Sequence, residues 1–540
     1  MVFTQRFEGR RHAGGFALLL TVTLLSFIVL LLLALTTLVH VETFAAANEE
    51  QRAQARQNAL LGLTLALGQL QRYAGPDQRV TARATFLPVT IANKTQWSGV
   101  WGDPTRSPVW LVSVNASVPA DPTTPFTNPV VLIGPNTANI GSPASADPNQ
   151  VQAEMIDLTL PAASYPGWTA SSDPVIGRYA YWVGEEASKP SLSVHDERSV
   201  ITGGAGPNPC PQIDPGPLWG GFDFSNAANQ ASLARALAYT QLGYVDSTAF
   251  STTRMKQNYH RCTVAALGVP ANPASGGLKL DGSADSPNPY VGLGGSHFDA
   301  TFFSANPPTG SSPDLLPTAR FAVRHRAGIT PLASALGGSL AAGNLLVAGA
   351  FNLNSIDLAV TTQHDKWRAI LAAAATLHYA GGVTRVLAAA ELDALANQLT
   401  AANLRAASGA APKNLNEPFR SVDGFVRSNI LQNAIDAAGL NATRTPLSPD
   451  YVRQNDLLAL LAPILFVRSD TFVIRAYGEV RNPFSSATGG QAWCEAVVQR
   501  VADYVVPSDS PGSSPAAPDN QTYGRRFLVV GFRWLTTVDI

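Results

Sequence analysis

The sequence predicts an α+β protein in which one very long N-terminal helix packs on an antiparallel sheet, with a helical insertion domain and long loops. Three observations predict it. Phe16 to Val39 carries no formal charge, and no helix breaker separates it from an amphipathic stretch that stops at Gly75-Pro76. Short alternating apolar runs mark strands over 80–200 and again after 464. Between 341 and 463 the apolar period lengthens to three or four residues, the spacing of a helix face.

The helix comes first in the chain and carries the strongest signal. Residues 1–15 are polar and basic, with Arg6, Arg10 and Arg11 against Glu8. At about 1.5 Å per residue the run from Phe16 to Val39 is long enough to cross a hydrocarbon core of about 30 Å. Its few Thr and Ser hydroxyls can bond back to the preceding helical turn. The arginines before the span predict a cytoplasmic N-terminus and a body outside the inner membrane. Three readings compete for this segment: a plain signal-anchor, a secretory signal cut near Ala45-Ala46-Ala47, and a prepilin-type leader ending at Gly15 with Phe16 as the first mature residue. The apolar run exceeds the 7–15 residues of an ordinary signal-peptide core. Beyond it, Ala59/Leu60, Leu63, Ala66/Leu67, Leu70 and Tyr73 keep helical spacing. The expected organisation is a leader at 1–15, a transmembrane half-helix at 16–40 and an amphipathic half at 41–75. A β-rich head at 80–200, a loop-rich region at 201–340, the helical insertion at 341–463 and C-terminal strands at 464–540 complete it.

Within the head, TQWSGVWG, SPVWLVSV and NPVVLIG read as strands, and Gly177 to Val194 as a strand with Tyr179, Tyr181 and Val183 on one face. One helix is expected after Ser225. In the insertion, Trp367, Ile370, Leu371, Ala374 and Leu377 form one helical stripe, and Leu392, Leu395 and Leu399 another. Ser421 is a candidate cap for SVDGFVRSNILQNAIDAAGLN. Ser448, with Pro449 in the first turn, is expected to start a helix that stops at Pro463. DTFVIRAYGEV, AWCEAVVQRVADYVV and RRFLVVGFRWL close the chain as strands.

Composition narrows the function. Charged residues are 14% of the 540 and net charge is −1, so no basic surface points to nucleic acid. Three scattered cysteines, Cys210, Cys262 and Cys494, exclude a dense disulfide scaffold and a CxxC zinc site. Cys210 and Cys262 are the nearest pair in sequence and the candidate bridge. Catalytic patterns fail on spacing. Gly294-Gly295-Ser296-His297-Phe298 lacks the last glycine of a nucleophile elbow. His260 and Cys262 have no matching pair. Glu185-Glu186 reads as a solvated hairpin end rather than an acid/base pair. Asp281, Ser283 and Asp285 resemble the start of a calcium loop without its Gly and closing Glu, against a polar turn as the competing reading. No catalytic residue and no obligatory cofactor is expected, calcium being the one weak candidate.

Several phrases, taken in order, resemble one family. They are GGFALLL, ARQNALLGLTLALGQLQRYAGPDQRVTARA, GRYAYWVGEEASK, GAFNLNS with KWRAILA, PFRSVDGFV, SDTFVIRAYGEVRNP, AWCEAVVQRV and GRRFLVVGFRWL. Together they resemble the verrucomicrobial pilin-like cassette protein A family, related to type IV pilins and to K-type minor pseudopilins of type II secretion. The resemblance covers both ends and the helical segment and leaves 200–340 nearly bare. It implies a structural subunit that partners other prepilin-type cassette proteins, a prepilin peptidase and inner-membrane lipid. It also implies calcium as a ligand of the K-type relatives. One departure stands out: counted from Phe16, the fifth residue is Leu20, where the pilin pattern places Glu. An acid in lipid is costly unless paired, so Leu20 suits a tip subunit with no neighbouring amine to meet. The alternative is a membrane-tethered periplasmic enzyme or binding protein that does not polymerise.

Overall fold

The structure is a computed structural model that describes residues 13–540. Excepted are 88–90, 103–106, 115–119, 142–146, 193–214, 278–345, 379–383, 406–416 and one- or two-residue gaps elsewhere. The protein is mixed α+β. Helix α1 (Ala13–Ala74) runs unbroken for 62 residues, roughly 90 Å at the usual rise. It stops where Gly75 and Pro76 follow.

Strands β1 (Val80–Arg83), β2 (Ser98–Trp101) and β3 (Val109–Trp110) form a small antiparallel sheet, and β4 (Pro129–Ile133) pairs with β5 (Val151–Glu154). The main sheet takes β6 (Ile156–Thr159) and β7 (Val175–Glu185) from the head. It takes β8 (Thr471–Arg481), β9 (Thr488–Tyr504) and β10 (Arg525–Leu535) from the C-terminus. Its order is β10-β9-β8-β7-β6, antiparallel throughout. Chain ends far apart in sequence therefore share one sheet through the β7–β8 pairing, for example Ile474 opposite Val183.

Period-two alternation assigns the two faces. Tyr181, Val183, Phe472, Ile474, Ala476, Cys494, Ala496, Val498 and Phe527 share a core with the second half of α1. Ala180, Trp182 and Tyr477 face a larger core built with the head and the insertion. The expected face of β7, with Tyr181 and Val183 buried and Tyr179 packed beside them, is the one that meets the helix.

The insertion differs from expectation in detail. Its first helix, Val360–Leu371, ends before Leu377, which lies in a short strand (Thr376–His378) paired with Thr384–Val386. Ala372–Ala374 tightens into a 3₁₀ turn, and the Ala-rich stripe continues into the core without continuing the helix. Leu392, Leu395 and Leu399 are buried as expected. Ser421 caps Val422–Arg427 by accepting the Gly424 N–H at 3.0 Å. The single helix expected there is two, because Asn429 adopts φ 58° before Ile430–Ala437. The helix expected from Ser448 begins at Gln454 instead; the Tyr451 N–H reaches the Ser448 carbonyl, and Pro449 lies outside the described residues. The one helix expected after Ser225 is broken: Ala227–Leu233 is helical, and a 3₁₀ turn at Tyr239–Gln241 leads into a single α-turn at Leu242–Val245.

Candidate functional site: the N-terminal helix and its seat

The two halves of α1 obey different rules. Every residue from Phe16 to Gln54 is exposed, and apolar side chains point in all directions, from Phe16 and Leu18 to Val41 and Phe44. This is the one helix among the described residues that is long and apolar enough to cross a membrane. Its hydroxyls are satisfied inside the helix. Thr21 donates to the Leu18 carbonyl (2.8 Å), Ser26 to Thr23 (2.9 Å), Thr36 to Leu33 (2.9 Å) and Thr37 to Ala34 (2.8 Å). Between Phe16 and Val39 the side chains thus offer a nonpolar environment no unpaired donor.

From Ala55 onward the helix is seated. Ala55, Ala59, Leu63, Ala66, Leu70 and Ala74 are buried, every third or fourth residue. Small residues bring the backbones together: a Cβ at Gly478 of β8 would lie 2.3 Å from the Ala55 carbonyl oxygen and the Ala59 nitrogen. Polar side chains then stitch the helix to strands whose backbone it covers. Asn58 donates to the Glu479 carbonyl at 2.8 Å. Gln71 donates to the Arg525 carbonyl at 2.8 Å and accepts the Phe527 N–H at 3.1 Å, so its amide behaves as one more ladder partner for β10.

The end of α1 is clamped by buried charge. A helix leaves its last carbonyls without partners and its C-terminus partly negative. Arg468 donates to the carbonyls of Ala74 and Pro76, and Arg500 to that of Gly75 at 2.8 Å. Two carboxylates hold these guanidiniums. Asp77 accepts from Arg500 and from Arg525 Nε (2.7 Å); Asp470 accepts from Arg468 Nε (2.9 Å) and Arg500 Nη1 (3.1 Å). Three cations face two carboxylates, and the helix carbonyls offset the surplus. Burial alone would push the Asp77 carboxyl up, but Arg500, Arg525 and Arg468 outweigh it and hold its pKa below the ordinary value. Sequence reading missed this cluster. The signal was present: Asp470, Arg500 and Arg525 occupy the same alternating positions as Phe472, Val498 and Phe527, so each is a charge on an apolar face.

The other expected site residues do not converge. Gly15 and Phe16 lie in α1, which runs straight through that junction, and Leu20 is on its exposed surface. Residues 1–12, Cys210, the loop residues Asp281, Ser283 and Asp285, and Gly294–Phe298 lie outside the described residues. Cys262 and Cys494 are buried free thiols, and burial pushes each up to about 12. His260 is buried, its Nε2 2.9 Å from the Asn149 carbonyl; burial drives its pKa well below the usual value. Glu185-Glu186 is not a solvated hairpin end: both residues are buried. Glu185 accepts from Ser469 (3.0 Å) and Asn352 (3.1 Å), and burial raises its pKa; Glu186 pairs with Lys189 at 2.6 Å. Strand β7 ends at Glu185, inside the contact with the insertion, where solvent does not reach. Among the described residues no group of three or more His, Cys, Asp or Glu side chains is placed to hold a metal ion. Comparisons with protein-family models, curated proteins and solved structures found no match.

Proposed function

We propose that this chain is a pilin-like structural subunit, a minor or tip component of a type IV pilus or type II secretion-like assembly in the cell envelope. It is held in the inner membrane by a single pass, with the N-terminus cytoplasmic and the head on the periplasmic or extracellular side. One observation carries the reading: a single unbroken helix is nonpolar and bare over its first half and rigidly seated over its second. A tether needs about 20 apolar residues and no fixed relation to its cargo. Here any force on the apolar half passes through continuous helical hydrogen bonds into the Asp77 clamp. Such coupling suits a subunit that packs its helix against those of other prepilin-type cassette proteins.

The expected leader cleavage after Gly15 by a prepilin peptidase is tested by mass spectrometry of the envelope protein. A mature chain beginning at Phe16 supports the proposal; one beginning at Met1 overturns it in favour of a plain anchor, and one beginning at Asn48 in favour of a secreted protein. The tip position rests on Leu20. Leu20→Glu should weaken incorporation at a tip, where no amine meets the acid, and improved assembly with that variant would move the subunit to an internal position.

A further inference from the structure

The main sheet ends in β10 on one side and β6 on the other, and among the described residues no strand pairs beyond either. An edge strand presents a row of backbone N–H and C=O groups that lack ladder partners. Gln71 shows where the row of β10 points, because its amide fills the ladder place at the Arg525 carbonyl and the Phe527 N–H. Apolar side chains line the stretch beyond. Val529, Phe532 and Trp534 lie opposite Val498, Ala496 and Cys494, which face α1. The helix nevertheless leaves them 45%, 46% and 37% exposed. The bulge at Val530 is what turns Phe532 and Trp534 to that side. Arg56 of α1 stands 5.4 Å from the centre of the Trp534 ring, and Phe532 meets the same ring edge-on at 5.4 Å. Leu60, one turn on from Arg56, is also exposed. The helix side of β10 is an apolar shelf.

A strand added to β10 would both complete the backbone row and cover the shelf. Direction, face and charge select its source. Antiparallel pairing of β10 with the β10 of a second copy would point the two bare half-helices opposite ways, and one membrane cannot hold both. It would also set the arginines of one strand against those of the other. Parallel pairing of the same two strands would put the helices on opposite faces and part the shelves. Strand β6 has none of these faults. Every pairing between it and β10 is antiparallel and there are four, so the two strands run in the same direction. Two copies joined β6 to β10 keep their helices parallel and on one face. Ile156 and Leu158 lie opposite Tyr179 and Gly177, on the face that α1 covers, as Val529, Phe532 and Trp534 do on β10. On the far face β6 carries Asp157, and β10 carries Arg526 and Arg533. The side chains of Asp157 and Arg526 stay about half exposed beside their partners Arg178 and Asp503, so acid would approach base.

Resting on the membrane-anchored reading, we propose that β10 is the docking edge for a second copy of this chain, whose β6 adds to it as a sixth, parallel strand. The added strand covers Phe532 and Trp534 and brings two α1 helices side by side into one membrane. One edge meets a different edge, so the contact is heterologous and leaves a β6 and a β10 free at its ends.

The full-length chain, carrying Cys210→Ser to remove the thiol outside the described residues, is prepared separately with Thr159→Cys and with Gly531→Cys; Cys262 and Cys494 are buried. A Cβ at Gly531 meets only ordinary contacts with Val497. The two preparations are mixed in phosphatidylcholine vesicles and treated with a short bis-maleimide. The expected result is a cross-linked dimer in the mixture and in neither preparation alone. Phe532→Lys with Trp534→Lys should lower its yield about tenfold without moving the unfolding midpoint of the head, and Phe532→Ser is the milder variant should the lysines disturb folding. A dimer from Gly531→Cys alone would assign the edge to β10 pairing with itself and overturn the proposal. Full yield in both shelf variants would assign the contact to the helices and overturn it too. No dimer from a chain that resists alkaline extraction would overturn the edge contact and leave the anchor standing, whereas release by alkali would remove the anchor itself.

Discussion

The two halves of α1 share one backbone and one helical period, yet they are opposite solutions to the same problem. Between Phe16 and Val39 apolar side chains surround the helix and none of the described residues covers them. Between Ala55 and Ala74 the buried residues form one stripe, mostly alanine, and the sheet covers that stripe with glycine and alanine at the closest approach and with Val183, Phe472, Ile474, Val498 and Phe527 around it. The difference teaches what each half is selected to touch. Large residues all round suit a partner that can flow or interdigitate, such as lipid or neighbouring helices. Small residues on one face suit a rigid sheet approached to backbone contact, where specificity comes from fit and from a few placed polar groups.

The comparison breaks most sharply at the clamp. Asp77→Ala leaves Arg525 buried without its carboxylate and Arg500 with Asp470 alone, and the expected loss is about 3–5 kcal/mol of unfolding free energy, measured by denaturant unfolding in detergent. The same site sets an acid limit. The Asp77 pKa is depressed in the fold, so its contribution is present above the unfolded value of about 3.9 and fades as pH falls through the folded value. Asp77→Asn should remove that part of the acid slope. An unchanged acid midpoint would show that the clamp does not govern it.

Leu31→Asp attacks the other half. Membrane insertion should weaken by about 2.5–3.5 kcal/mol on the translocon scale, while the unfolding midpoint of the head stays where it was. A destabilised head would mean that the exposed half is not independent of the seat. Gly478→Val tests the close approach, since its Cβ meets helix backbone and has no side chain to push aside. The expected loss is about 1–3 kcal/mol or more, with proteolysis newly cutting near Ala55. Gly478→Ala should fall between Val and the native residue. Asn58→Ala is the mildest, removing one bond to the Glu479 carbonyl for about 1 kcal/mol; a loss as large as that of Asp77→Ala would move the main seat from the clamp to Asn58.

Much of this was legible in the sequence. The length and continuity of α1 followed from an uncharged run meeting an amphipathic one without a breaker, and the helix-facing side of β7 followed from Tyr179, Tyr181 and Val183. Where reading failed, the missing information was a neighbour. Leu377 fits a helical stripe, yet pairing of Thr376–His378 with Thr384–Val386 offered its backbone a strand instead. Glu185 and Glu186 look solvated in isolation and are covered by residues from 263, 352 and 469.

The sequence by itself determined the helix, its two faces and the strands, because periodicity and the absence of breakers are local properties of the chain. Only the tertiary structure decided that β7 pairs with β8 and that Asp77, Asp470, Arg468, Arg500 and Arg525 meet beneath the helix end. Those contacts join residues up to 448 positions apart. Their energy depends on burial and on which carbonyls are left unpaired, and neither exists until the sheet has closed.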